Sequence, residues 1–315
     1  MKQKQFETQH ARLWSEIEAI LQVTSLEGEV LPSHYRRLCQ CLALASQRGY
    51  SPALTDYLQK MVLDCHRRLY GTTVERPIVL RAWLNEDLPR RVREEWRLLL
   101  VSCLAFWGVA LAVGLLIWWK PYWAYSFMSP GQLDTIQDMY QPGRVSIGRG
   151  GSEGDVYMFG FYIWNNVSIC FRTFASGLLG GALALLSVLF NGINLGVVAA
   201  WLSLNPATRD TFWPFVVTHS SFEITGLILS GLTGMRLGLA LIHPGRLSRR
   251  HALLAASQRM FPVLVGAALL TVLAAFFEAF WSANTSIPDV VKFTVGGLCW
   301  LSVLCYFTFA GRGRR

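Results

Sequence analysis

The clearest shortage in this sequence is charge. Asp, Glu, Lys and Arg make up 16% of the 315 residues, against about 25% in an ordinary soluble domain. None of the seven cysteines belongs to a C-x-x-C pair, and the alternation of polar and apolar residues that marks strands is absent. The first residues also lack the apolar core of a signal peptide. These shortages exclude a disordered chain, a collagen-like chain and a small disulfide scaffold.

The sequence is instead rich in apolar residues. Hydrophobic residues make up 52% of the chain, and the mean hydropathy is +0.33. A soluble core cannot hide that much apolar sequence, so the composition indicates an integral membrane protein. Residues 1–97 hold 15 Lys and Arg and 12 Asp and Glu, whereas residues 98–315 hold 14 and 8 over more than twice the length. We therefore predict an all-α chain, with a cytoplasmic helical domain over 1–97 and a polytopic membrane helix bundle over 98–315.

Apolar residues at helical spacing predict three amphipathic helices in the front domain. The first carries apolar residues from Phe6 to Leu21, the second begins near Pro32, and the third begins near Pro52. Each helix is expected to bury one apolar stripe in a small bundle. A further amphipathic piece, Ile78–Trp96, leads to the membrane.

Five long apolar stretches follow the front domain. They run over Leu98–Trp119, Tyr157–Leu204, Thr211–Ile242, Met260–Trp281 and Phe293–Ala310. The second stretch has 48 residues, which is too long for one straight crossing of a bilayer. We predict that it divides near Ser176, which gives about six membrane-embedded helices. Whether its first part, Tyr157–Ala175, crosses the membrane or is re-entrant stays open.

Basic residues set the predicted orientation. Three basic segments, Arg90–Arg97, Arg246–Arg259 and Arg312–Arg315, belong in the cytoplasm by the positive-inside rule, and six crossings place all three there. Both termini are therefore predicted to be cytoplasmic. Because this pattern explains the net charge of +9, nucleic-acid binding is not expected. The arginines expected at the cytoplasmic interface are Arg90, Arg91, Arg93, Arg97 and Arg236.

Ionisable side chains inside the apolar stretches are the candidate functional residues, because each is costly at membrane depth. His219 and Glu223 are four residues apart and share one helix face, and Glu278 lies in the next span. Three interpretations stay open: a structural hydrogen-bonded pair, a proton or ion path, and a metal site with these three ligands. The sequence contains no H-E-x-x-H motif and no nucleophile-serine motif. It therefore assigns no catalytic residue, no metal and no cofactor.

Other polar and small residues in the spans point to helix packing. The asparagines Asn165, Asn166, Asn191 and Asn194 are expected to bridge neighbouring helices by hydrogen bonds. Small residues spaced by four let two helix backbones approach closely. The positions with this spacing are Gly192, Gly196, Gly226, Ser230, Gly234 and Gly238. Some of these faces could instead serve a homodimer.

Several of these motifs resemble those of the stage II sporulation protein M family. The pair Asn165–Asn166 precedes a glycine-rich run, and the stretch Thr218–Glu223 resembles the family's Pro-His-Gly-x-x-Glu motif. The stretch Ala274–Trp281 resembles its Ala-x-x-x-Glu-x-Phe element. The polar front, from Trp14 through Tyr70, resembles that of the longer, non-sporulation members.

The resemblance implies a non-enzymatic, multi-pass scaffold in the bacterial inner membrane for envelope or peptidoglycan-related assembly. Its helical front would bind a cytoplasmic partner, such as an ATPase-type or envelope protein. The residues themselves leave a transporter or channel as the alternative, with a proton, ion or small solute passing a polar path at His219 and Glu223. A metal-dependent membrane hydrolase is a minor alternative.

Overall fold

The computed structural model describes residues 2–22, 31–70, 80–143, 147–149 and 154–312. Over these residues the chain is helical and contains no strand, so the predicted all-α class is confirmed. The chain divides into two compact units, Met1–Val79 and Leu80–Arg315. We call them the front unit and the membrane unit.

The front unit is a bundle of three helices: α1 (Gln3–Gln22), α2 (Leu31–Gln47) and α3 (Pro52–Tyr70). Each helix turns one apolar stripe inward, as the spacing predicts. The largest fully buried side chains of the unit are Phe6, Ile17, Leu38 and Leu58. Burial of such side chains out of water, at about 1.5–3 kcal/mol each, is what holds a bundle of this size together.

The membrane unit contains eight further helices among the described residues. They are α4 (Leu88–Glu94), α5 (Trp96–Trp119), α6 (Pro130–Met139), α7 (Asp155–Ser176), α8 (Ala182–Leu204), α9 (Pro206–Ile242), α10 (Arg249–Ser282) and α11 (Asp289–Phe309). Two π-helical turns interrupt the α-helical pattern inside α5 and α10, at Leu104–Gly108 and Phe277–Ser282.

Five of these helices, α5 and α8 to α11, are long and apolar enough to span a membrane. The chain therefore has the multi-pass helical bundle that the composition predicts. The helices α7 and α8 are separated at Gly177–Gly181, so the division predicted near Ser176 is confirmed. Helix α7 has 22 residues but is not among the five apolar helices. Its crossing of the membrane stays a prediction.

Helix α9 is the centre of the membrane unit and packs against α5, α7, α8, α10 and α11. It has 37 residues, or about 55 Å at 1.5 Å per residue. It begins at Pro206, where the Asn205 side chain caps it by accepting a hydrogen bond from the Ala207 amide. The sequence places its start at Thr211, so Glu223 lies about half-way along the helix rather than in its first part.

Glycines allow the backbones of α8 and α5 to touch at two points. A Cβ atom at Gly192 would lie 2.6 Å from the Phe106 carbonyl oxygen, and one at Gly196 would lie 2.5 Å from the Ala110 carbonyl oxygen. Both contacts join α8 to α5. Any larger side chain would push the two helices apart. The other small residues of the predicted packing lines lie on α9 and are buried: Gly226, Ser230, Gly234 and Gly238.

Basic and acidic residues meet at one end of the membrane unit. Arg236, one of the arginines predicted at the cytoplasmic interface, has its Nε 3.1 Å from a Glu95 carboxylate oxygen. The Arg259 guanidinium lies 3.0 Å from Glu94 and 3.4 Å from Glu95. The other arginines of the predicted interface have local partners: Arg90 pairs with Asp87, Arg91 donates to the Arg259 carbonyl, Arg93 donates to the Phe307 carbonyl, and Arg97 lies over the Trp96 ring.

Candidate metal centre

Three ligand-type side chains meet in the middle of the membrane unit. His219 and Glu223 lie one turn apart on α9, and Glu278 lies on α10. One ligand atom from each of the three lies within 4.8 Å of the other two. Zinc ligands at about 2.0–2.2 Å from the metal stand a little over 3 Å apart in a tetrahedral site. A contraction on the order of 1 Å would therefore let the three side chains share one ion.

The π-helical turn of α10 positions Glu278 in this cluster. The turn covers Phe277–Ser282, and its wider ring of backbone hydrogen bonds shifts the residues that follow relative to an α-helix. Such turns occur frequently at functional sites. The irregular geometry thus falls on the segment that carries an acidic side chain toward α9.

His219 is held in place by contacts around its ring. Its Nδ1 lies 3.0 Å from the Ser282 hydroxyl oxygen, and its ring packs edge-on against Phe215 with centroids 5.2 Å apart. The Ser282 carbonyl in turn accepts a hydrogen bond from the Lys292 ammonium at 2.9 Å. A histidine whose Nδ1 is engaged presents Nε2 as its ligand nitrogen.

Two residues from the segment between α6 and α7 reach the cluster. The Tyr140 ring packs against Phe212 and Phe215 of α9, with centroids 5.2 and 5.7 Å away. Burial raises the pKa of Tyr140 well above its ordinary value, and the nearby Glu278 carboxyl adds to this rise. The Tyr140 hydroxyl therefore stays protonated at neutral pH.

The second residue from this segment is Arg149, of which only 3% is exposed. Its guanidinium donates to the Ala279 carbonyl at 2.6 Å, inside the π-helical turn, and pairs with Asp155 at 2.7 Å. A positive charge is thereby fixed next to the turn that carries Glu278.

Two buried polar groups on α7 complete the surroundings. Tyr162 and Asn166 are 6% and 4% exposed. The Tyr162 hydroxyl lies near the Arg149 guanidinium, and the Asn166 side chain lies near the Glu278 carboxyl. Both residues interact electrostatically with the Glu278 carboxyl. These two side chains add polar groups to the surroundings of the Glu278 carboxyl.

Two members of the cluster, His219 and Glu223, line a cavity of about 260 Å³. Its polar lining consists of Asn166, Asn191, Asn194, His219, Ser220 and Glu223, and its other walls are apolar. Asn166 of α7 interacts with Glu278 of α10, as a bridge between helices requires, whereas the other three asparagines form hydrogen bonds only within their own helices among the described residues. Asn191 and Asn194 donate to carbonyls of their own helix, and Asn165 donates to its neighbour Asn166. A carbonyl four residues back is the nearest acceptor for a short amide side chain on a helix.

The sequence singled out His219, Glu223 and Glu278 but left open whether they converge. The structure brings them together and adds Asn166 beside them. The sequence did not predict five neighbours of the cluster. Only Lys292 stands out in the sequence, because it is the one lysine of α11. These neighbours are Tyr140, Arg149, Tyr162, Ser282 and Lys292.

Comparison with known proteins gives one family over most of the membrane unit. The profile described as "Stage II sporulation protein M" matches residues 101–283. A profile described as "Domain of unknown function (DUF8413)" matches residues 4–71, within the front unit.

One curated relative is an uncharacterized protein of Methanocaldococcus jannaschii, 25% identical over 81 residues. The match covers 26% of this chain and 46% of the relative, so the chain spans less than half of that protein's length. No solved structure matches the chain.

Proposed function

Because this chain belongs to the stage II sporulation protein M family and carries five helices apolar enough to span a membrane, we propose that it is a membrane protein with a divalent-metal centre of hydrolytic type. The observation that carries the proposal is the convergence of His219, Glu223 and Glu278 within 4.8 Å. Three protein ligands beside an open cavity are the arrangement of catalytic zinc sites, which keep one coordination position for water or substrate.

The donor set fits zinc. Imidazole and carboxylate are both ordinary zinc ligands, and the contact of His219 Nδ1 with the Ser282 hydroxyl supplies the outer hydrogen bond that ligand histidines commonly have. A bound ion of this kind supplies Lewis-acid activation of water and of a carbonyl group. The Asn166 side chain, which lines the cavity, would donate to an oxygen that gains charge during the reaction.

The reaction proposed is addition of water across an ester or amide. The bond between the carbonyl carbon and its oxygen or nitrogen substituent breaks, and the hydroxyl group of water stays on the carbon. The remaining proton goes to the departing alcohol or amine. Water is the only co-reactant, so no oxidant, reductant or activated donor is required.

Metal content tests the proposal directly. The full chain is purified in detergent, stripped with a chelator, reloaded with zinc, and measured by elemental mass spectrometry. We expect about one zinc per chain in the wild type and a loss of at least five-fold in His219→Ala and Glu278→Gln. The control is His243→Ala, which removes an exposed histidine outside the cluster. Equal zinc in His219→Ala and His243→Ala would overturn the proposal.

A membrane scaffold is the second candidate. It is favoured by the front unit, which has its own core and its own matching profile. The exposed apolar side chains Leu44 and Leu63 are where we expect a cytoplasmic ATPase-type or envelope partner to contact this unit. Affinity capture under native expression is the test: a specific partner should be recovered with wild type and lost with Leu63→Glu. Recovery of the same proteins with both chains would contradict the scaffold.

A transporter is less favoured, although the polar cavity beside Glu223 would suit one. Proton or ion flux in proteoliposomes, compared between wild type and Glu223→Gln, decides it: equal background flux would contradict the transporter.

We also propose that the chain lies in the bacterial inner membrane with both termini in the cytoplasm. Labelling of a cysteine at Arg249 from the outer side would contradict that orientation.

A further inference from the structure

A cavity of about 520 Å³ lies at the end of the membrane unit where basic and acidic residues meet. Its volume is within the range of about 300–1,000 Å³ that is typical of ligand sites. Helices α4, α5, α9 and α11 form its walls, and Arg93 and Arg312 are the charged residues of its lining. Apart from Cys103, Thr225 and Thr308, the other lining side chains are apolar or aromatic. We call this cavity the arginine pocket.

The arginine pocket runs from this end of the membrane unit toward its middle. Its lining on α5 extends from Trp96 to Trp107, which is about 16 Å at 1.5 Å per residue. Its lining on α11 extends from Thr308 back to Trp300. The centroids of the Trp107 and Trp300 rings are 5.9 Å apart, and these rings form the inner end of the pocket. Since the hydrocarbon core of a bilayer is about 30 Å thick, the pocket is about as deep as one leaflet.

Two arginines lie at the outer end of the pocket without a carboxylate partner. Arg93 donates to the Phe307 carbonyl at 2.9 Å, and the Arg312 guanidinium lies over the Phe309 ring, 5.7 Å from its centroid. Neither forms an ion pair with an acidic residue that the structure describes. Burial, and to a smaller extent the nearby Arg312 charge, lower the pKa of Arg93. Two neighbouring positive charges at the surface of a membrane favour the binding of an anion.

An anionic phospholipid has the two parts that this pocket requires. Its phosphate lies at the level of the lipid headgroups, where an exposed tryptophan such as Trp96 is typical. Its acyl chain points from there toward the middle of the bilayer, which is the direction of the pocket. Leu304 of the lining is also exposed, so the pocket is open toward the surrounding lipid. The second acyl chain can therefore stay in the bilayer. Basic pockets between membrane helices on the cytoplasmic side bind headgroups of this kind.

We propose that the arginine pocket binds one anionic phospholipid, with its phosphate between Arg93 and Arg312 and one acyl chain extending inward to Trp107 and Trp300. The bound lipid joins α4 to the end of α11, which is the least buried of the five apolar helices. The stability of the membrane unit then depends on the charge of the surrounding lipid. The inference is independent of the metal centre, because no residue of the cluster lines this pocket.

Native mass spectrometry of the full chain in detergent tests the proposal. The delipidated chain is titrated with dioleoyl phosphatidylglycerol and, separately, with dioleoyl phosphatidylethanolamine, which has the same acyl chains but no net charge. We expect the first phosphatidylglycerol to bind at least five-fold more tightly than phosphatidylethanolamine, and Arg312→Gln to weaken its binding at least five-fold. The matched control is Arg97→Gln, which removes an exposed arginine near the same end that does not line the pocket. This control should bind like wild type.

Each part of the proposal has its own contradicting result. Equal affinity of the wild type for the two lipids overturns it without any variant. Equal losses in Arg312→Gln and Arg97→Gln also overturn it, because they show a general attraction between basic residues and anionic lipid. Glycerophosphoglycerol, the headgroup without acyl chains, tests the apolar part: binding as tight as that of the whole lipid overturns the acyl-chain assignment. A dimer of the chain that excludes the lipid, seen in the same spectra, makes the pocket an interface between copies and overturns the lipid site.

Discussion

The two units of this chain bury different kinds of side chain. The core of the front unit consists of large apolar residues such as Phe6, Leu38 and Leu58. In the membrane unit the helices touch at glycines, and the buried polar and charged side chains among the described residues all lie in this unit. They are Ser102, Arg149, Asn166, Thr173, Thr208, Thr218, His219, Ser221, Ser230, Thr233, Thr271, Ser282 and Lys292.

The difference follows from the solvent of each unit. Water drives large apolar side chains into a core, so the front unit is stabilised by the area it buries. Lipid tails are as apolar as leucine, so association of helices in the membrane depends on close packing and hydrogen bonds. The front unit should therefore respond most to lost volume, and the membrane unit most to added volume.

The largest expected effect is from Gly192→Leu in the membrane unit. Overpacking costs about 1–3 kcal/mol where side chains can yield, but here a Cβ atom would meet the Phe106 backbone carbonyl at 2.6 Å. We expect the folded membrane unit to be lost, seen as aggregated protein in size-exclusion chromatography in detergent.

The control for this variant is Gly108→Leu. A Cβ atom at Gly108 has no neighbour within 4 Å among the described residues, so this chain should elute like wild type. A monodisperse Gly192→Leu chain with an unchanged melting temperature would show that backbone contact between α5 and α8 does not hold the unit together.

Leu58→Ala should have the next largest effect, confined to the front unit. Leu58 is fully buried, and truncation of such a leucine costs about 2–5 kcal/mol. Hydrogen exchange of the full chain measures it: peptides from residues 31–70 should lose protection by that amount. Leu63→Ala, at a position that is 47% exposed, should change protection by less than about 0.5 kcal/mol. Equal effects of the two truncations would contradict the comparison.

The sequence predicted the packing pattern of both units better than it predicted the site. Helical spacing was enough to place α1 to α3, and the 48-residue apolar stretch had to divide near Ser176. The convergence of Glu278 with His219 depends on the π-helical turn, and no residue pattern in the sequence predicts such a turn. The contribution of Arg149 depends on its contact with the Ala279 carbonyl, 130 residues away in the chain, which no local pattern reveals.

The smallest effect concerns pH. Burial, with a smaller contribution from the Asp64 charge, raises the pKa of the Cys65 thiol from 9 to about 11. The folded front unit therefore keeps a proton that the unfolded chain loses between these values. The contribution of this thiol to the free energy of unfolding is fully present below pH 9. It is lost as pH rises to about 11, which lowers the free energy of unfolding by up to about 3 kcal/mol.

Hydrogen exchange of peptides 52–70, corrected for the intrinsic pH dependence, measures this loss. Cys65→Ala should lower stability at every pH but remove the part of the slope between pH 9 and 11 that the thiol causes. An unchanged slope in Cys65→Ala would show that other groups, such as Tyr57 with its pKa raised to about 12, cause the alkaline loss.

The π-helical turn at Phe277–Ser282 also sets the direction in which the side chains near the end of α10 point around the helix axis. Neighbouring residues of an α-helix point about 100° apart around its axis. A deletion of Phe277 would therefore leave a continuous helix, yet turn the Glu278 carboxyl away from His219. One inserted or deleted residue near the end of α10 therefore decides whether the three ligands meet. A related protein can gain or lose this centre through a one-codon insertion or deletion, even though its gene still encodes all three ligands.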